Sequence, residues 1–222
     1  MFKSVVFKEW IKTRWFFIIL SLIGVLAVGN IFLKVQHNMT FNEATQFWYL
    51  ILFQGLRYFG NLKFVPLFIG LAIAAAQYIP EIIDRRVKLT FHLPINENKI
   101  LIMMLGFGTI SLFVSYTIMF SVFVVLSNHF FAKEIVHAAI ISVTPWFLTG
   151  FAAYFLAALI ILEAIWKYRI AYFIAACAFI LLFFESSGAG GYSPVNLKMA
   201  ILTLLISVSL LFSAYRFRKG EM

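Results

Sequence analysis

Polar positions along this chain come in clumps, and between the clumps lie long apolar stretches. The charge-free runs are 15–33, 64–80, 100–132, 135–162, 170–184 and 199–215, which contain 19, 17, 33, 28, 15 and 17 residues. A helix needs about 20 apolar residues to cross a bilayer, and flanking Lys, Arg, Trp and Tyr extend a shorter run by snorkelling. The pattern predicts an all-α membrane protein with six transmembrane helices. The run 100–132 is too short for two helices and a turn, so it predicts one helix from about Ile100 to Leu126 and then an external loop containing Asn128 and His129. The stretch from Phe47 to Phe59 carries Gln54 and Arg57 near its end. As a helix it would rise only about 20 Å, short of a crossing, which predicts an interfacial or external element before the second span.

Two polar segments stand out from the spans. In residues 1–14, Val6, Phe7, Trp10 and Ile11 share one helical face, while Ser4, Lys8 and Lys12 line another with Glu9 and Thr13 beside them. This predicts an interfacial helix lying in the headgroup layer, with Phe7, Trp10 and Ile11 dipping inward and lysines meeting anionic lipid. The alternative is an ordinary basic flank of the first span. The second segment is 80–99, PEIIDRRVKLTFHLPINENK. Pro80 should break or kink the second span where it leaves the membrane. Glu81 and Asp84 then open a short helix, with Arg85, Arg86 and Lys88 toward its other end, an order that suits the helix dipole. Pro94 stops that helix, and Asn96 can cap the third span, with Glu97 in its first turn. A solvated connector would have the same charge pattern.

Composition sharpens the class. Of 222 residues 63% are hydrophobic and 12% charged, with a mean hydropathy of +0.96. That excess over a soluble domain excludes a water-soluble fold. A net charge of +9 would suggest nucleic acid in a soluble protein. Here the cations gather at the ends of apolar runs, so no nucleic-acid partner is expected. With six spans, thirteen of the eighteen Lys and Arg fall on the side of the termini, which makes both termini cytoplasmic. The first apolar run is too long for a signal-peptide core and lacks an A-x-A site, so it reads as a retained helix. No boundary or repeat divides the chain, which reads as one domain, 1–222.

Catalytic chemistry is thin. His37, His92, His129 and His137 are scattered, with no i, i+4 pair and no acidic ligand at useful spacing, so no metal site is expected. Cys177 is the single cysteine and reads as a small apolar packing residue. No phosphate-binding loop occurs, and Gly188-Ala-Gly-Gly191 reads as a turn. No cofactor and no catalytic residue is assigned, and no enzymatic activity is expected of this chain. Asn38-Met39-Thr40 matches a glycosylation acceptor, a pattern short enough to arise by chance. Glu163 and Lys167 are spaced for an i, i+4 pair, and Gln77, Asn30 and Ser111 are candidates for hydrogen bonds between helices. Midplane charges of the kind that ion-coupled carriers use are absent from the expected spans.

A basic amphipathic first segment, six spans with both termini inside, an external helix before span two and a charged segment running Lys88-Leu-Thr-Phe-His-Leu-Pro94-Ile-Asn-Glu97 together resemble the permease subunits of ABC type-2 exporters. The resemblance covers essentially the whole chain and is architectural. It implies that 1–14 is an elbow helix with Phe7 and Trp10 in the inner interface. It also implies that 80–99 is a coupling segment whose Glu81, Asp84, Arg85 and Arg86, with Lys88 beside them, dock on a separate cytoplasmic ATP-binding subunit. A second permease chain, identical or paralogous, would complete a path for a hydrophobic or amphipathic cargo across a bacterial inner membrane, with membrane lipid as the surrounding partner. The competing reading is a non-transporting scaffold or regulatory subunit that recruits a cytosolic partner through the same segment. An intramembrane enzyme built on Ser111, His129 and Glu163 would need those groups at one depth.

Overall fold

A computed structural model describes residues 2–41, 44–83, 97–163, 165–184 and 195–218. The described chain is all-α. Its helices are α1 (Phe2–Phe41), α2 (Ala44–Phe53), α3 (Val65–Ile83), α4 (Glu97–Phe130), α5 (Lys133–Leu162), α6 (Trp166–Leu182) and α7 (Asn196–Arg218), with a 3-10 turn at Gly60–Leu62. Four of them, α1, α3, α4 and α5, are long and apolar enough to cross a membrane. α6 has 17 residues and α7 has 23. Outward faces are apolar: Phe7, Trp15, Phe16, Leu22 and Leu26 on α1, and Ile110 and Phe113 on α4, are all exposed. Such a surface belongs in lipid, and the arrangement is that of a multi-pass membrane protein.

The central pillar is α5. In its most apolar 18-residue stretch 78% of residues are buried, against 22% for α1 and 28% for α4. α3 packs on it most closely, because Gly70 and Gly150 face each other and a Cβ on Gly70 would run into the Gly150 carbonyl. Small residues let helix backbones meet without a hydrophobic driving force, which lipid cannot supply. The space above Gly150 is taken by Tyr116 of α4, whose hydroxyl donates to the Pro66 carbonyl at 2.7 Å.

Pro145 sits inside α5 without ending it. Proline has no N–H, so the Ile141 carbonyl loses its usual i+4 donor. Asn196, the first residue of α7, supplies one: its Nδ2 donates to Ile141 at 3.2 Å.

Several expectations change. Residues 2–14 do not form a separate elbow, because they continue into the first span as a single 40-residue helix. No proline or glycine interrupts the chain before Gly24, so nothing in the sequence stops propagation. The polar face of that segment turns toward the protein: Glu9 and Thr13 are buried, while Phe7, Trp10 and Ile11 face out. Pro80 does not end α3, which runs on to Ile83. α4 passes through Asn128 and His129 to Phe130, and only Phe131 and Ala132 separate it from α5. Ser111 bonds within its own helix, to the Phe107 carbonyl, rather than between helices. Cys177 is exposed on α6, not packed. Glu163 is extended (φ −70°, ψ 125°) and closes α5, so it does not share a helix with Lys167. The short helix before the second span is present as α2, and Gly55 with φ of 65° turns the chain after it. Asp84, Arg85, Arg86, Lys88, His92, Pro94, Asn96 and Gly188–Gly191 lie outside the described residues.

Candidate functional site

The start of α1, the end of α3 and the end of α5 meet at one end of the bundle, the near end. There the helices carry a ladder of polar side chains. Glu81, one turn past Gln77 on α3, places its carboxylate against α1. Its Oε1 lies 2.9 Å from Lys8 Nζ and 3.1 Å from Lys12 Nζ. Lys12 also reaches Glu9 Oε1 at 2.9 Å, the i, i+3 spacing that one helical turn brings together. Both carboxylates are 1% exposed, Lys12 is 12% exposed and Lys8 38%. Two cations and two carboxylates make the cluster neutral. Such burial is sustainable only when every charge has a partner. Glu9 Oε2 is the exception: it is buried and meets no donor among the described residues.

One turn deeper the ladder continues without charge. Gln77 Nε2 donates to the Met104 carbonyl of α4 at 2.7 Å, and Gln77 Oε1 accepts from the Tyr154 hydroxyl of α5 at 2.8 Å. The Tyr78 and Tyr154 hydroxyls are 3.2 Å apart. Gly108 makes this crossing possible, since a Cβ there would strike both Tyr154 and Gln77. The ladder therefore ties four helices at the near end, and its outermost rung, Glu81, stands two residues before the end of α3, from which 84–96 departs.

Of the residues singled out in the sequence, Glu81 is inside this cluster and faces α1, not solvent. Phe7, Trp10 and Ile11 lie on the opposite, outward face of α1, with the Trp10 and Phe17 rings 6.2 Å apart. In the sequence Glu9 stands out only as a neighbour of the lysine face, and Tyr154 not at all. A signal for Glu9 was present, because a carboxylate three residues before Lys12 is unexpected in a segment read as basic and lipid-facing. For Tyr154 there was none beyond its being a polar tip in an apolar run. The cluster pairs buried charges across α1 and α3. Among the described residues no group of three or more His, Cys, Asp or Glu is placed to hold a metal ion. Neither a protein-family model, nor a curated protein, nor a solved structure matches this chain.

Proposed function

We propose that this chain is the membrane subunit of an ATP-driven exporter of the ABC type-2 class, moving a hydrophobic or amphipathic compound with a separate ATP-binding subunit. In this reading α6 and α7 cross the membrane with α1, α3, α4 and α5, giving six spans and two cytoplasmic termini. The near end then faces the cytoplasm. The observation that carries the reading is the bridge from Glu81 to Lys8 and Lys12. It links the base of the longest helix to the helix that feeds directly into the charged segment 84–96. A push on that segment by a partner would be passed to α1 through a buried ion pair rather than lost in a loose loop. Asp84, Arg85, Arg86 and Lys88 are then the partner-facing charges, and Glu81 is the inner anchor. A second permease chain completes the translocation path.

The test is co-expression with a candidate ABC ATP-binding subunit, chosen as one encoded next to this chain, followed by purification and reconstitution in vesicles. A stable complex whose ATP hydrolysis is uncoupled by R85E/R86E supports the proposal. Failure to form any complex, or unchanged coupling in R85E/R86E, overturns it. Binding without flux identifies the scaffold instead.

A further inference from the structure

α3 and α6 both pack on α5 and leave a gutter between them. Its wider part is a cavity of about 540 Å³ with α5 as floor, and the narrower part, about 230 Å³, continues toward the near end. Ile160 and Ile161 line both parts, so the two are one continuous groove. Small side chains make it deep: Ala153 and Ala157 on α5 and Ala176 on α6 lie along it. The walls are apolar throughout, but each end carries a cation. At the far end Lys63 Nζ lies 5.5 and 5.2 Å from the ring centroids of Phe64 and Phe184, which line the wide part. At the near end Arg169 lines the narrow part.

Arg169 has a donor to spare. Its Nη2 donates to the Glu163 carbonyl at 2.7 Å, and its guanidinium lies 5.3 Å from the Trp166 ring centroid. Its Nε is buried and meets no acceptor among the described residues. That enclosed Nε is out of a ligand's reach, but a guanidinium has five N–H donors and the Glu163 carbonyl takes one on Nη2, so the cation as a whole suits the charge of a phosphate oxygen at the groove's end.

We propose that this gutter binds one anionic phospholipid, its phosphate on Arg169 and one acyl chain lying over Ile160 and Ile161 toward Ala157. The groove supplies the chain with walls on three sides, and Arg169 at its near end selects for headgroup charge. Lys63 marks the opposite interface and belongs to the other leaflet.

The full-length protein, purified in detergent and delipidated, is titrated with phosphatidylglycerol, with phosphatidylcholine of the same chains, and with inorganic phosphate. Bound lipid is counted by native mass spectrometry, and thermal unfolding is followed in parallel. We expect one tightly held phosphatidylglycerol, preferred about fivefold over phosphatidylcholine, the size of one interfacial cation's contribution. R169Q should remove that preference, K63Q should keep it, and A157F should displace both lipids. Inorganic phosphate should neither raise the unfolding temperature nor compete. Equal binding of the two lipids by the natural protein, an intact preference in R169Q, full occupancy in A157F, or competition by phosphate alone would each overturn the site. If R169Q does not fold, A157F decides, since it touches no polar group. The readout needs no ATP-binding subunit, so its outcome is independent of the exporter reading.

Discussion

The two ends of the bundle are held together by different chemistry. At the near end, α1, α3, α4 and α5 are joined by ion pairs and side-chain hydrogen bonds around Glu81 and Gln77. At the far end α1, α4, α5 and the chain leading into α3 are joined by rings. Tyr58 stacks on Phe131 at 4.3 Å, Phe32 lies 5.9 Å from both Phe123 and Phe130, and Phe59 lies 5.5 Å from Trp146. α2 closes that end with Trp48 edge-on to Phe131 at 5.7 Å. Ring packing tolerates small shifts, because each contact is weak and many are interchangeable. A buried ion pair does not, because losing one partner strands the other. The near end is therefore the one where a single change in charge or position can be felt by the whole bundle.

The sharpest way to break this contrast is Glu81→Ala. It leaves Lys8 and Lys12 facing a buried site with one carboxylate between them, and should cost about 3–5 kcal/mol in thermal unfolding in detergent. Lys12→Met should approach that loss, whereas Lys8→Met should stay below about 1 kcal/mol, because Lys8 is partly exposed and its pair is screened. Equal losses from the two lysines would refute the geometry of the cluster. At the far end, Tyr58→Ala should cost about 3 kcal/mol, while Tyr58→Phe removes only the 3.2 Å hydroxyl contact with Ser127 and should cost about 1 kcal/mol or less. A Tyr58→Phe loss as large as Tyr58→Ala would mean that this end, too, is held by polar contacts. The smallest effect is expected at the α5–α7 junction: Asn196→Ala should cost about 1 kcal/mol, and that cost should fall in a Pro145→Ala background, where α5 recovers its own donor. A double-mutant cycle on unfolding midpoints measures the coupling.

The long apolar runs were legible because a bilayer sets a length scale that composition alone reveals. The four longest helices and α2 follow from it. The helix ends were less legible. Asn128 and His129 look like loop residues, yet α4 carries them, since no proline lies between 97 and 130 and the glycines at 106 and 108 stand far from its end. In the first fourteen residues amphipathic periodicity identifies two faces but not what the polar face meets: lysines that suit anionic lipid reach the Glu81 carboxylate of α3 instead, while Phe7, Trp10 and Ile11 stay on the outward face. Glu81 was found as a charge, but its partners on α1 are 69 and 73 residues away by sequence number, a distance over which periodicity carries no information. The Gly70–Gly150 approach and the Tyr154–Gln77 contact were hidden in the same way.

The bond from Asn196 to Ile141 spans 55 positions of sequence. During synthesis α5 is complete well before α7 exists, so the carbonyl that Pro145 deprives of its donor must wait, within the membrane, for the last helix to arrive. A chain truncated before Asn196 would carry that exposed acceptor permanently. Removing α7 therefore alters α5 as well, by taking the side-chain donor from one of its backbone oxygens.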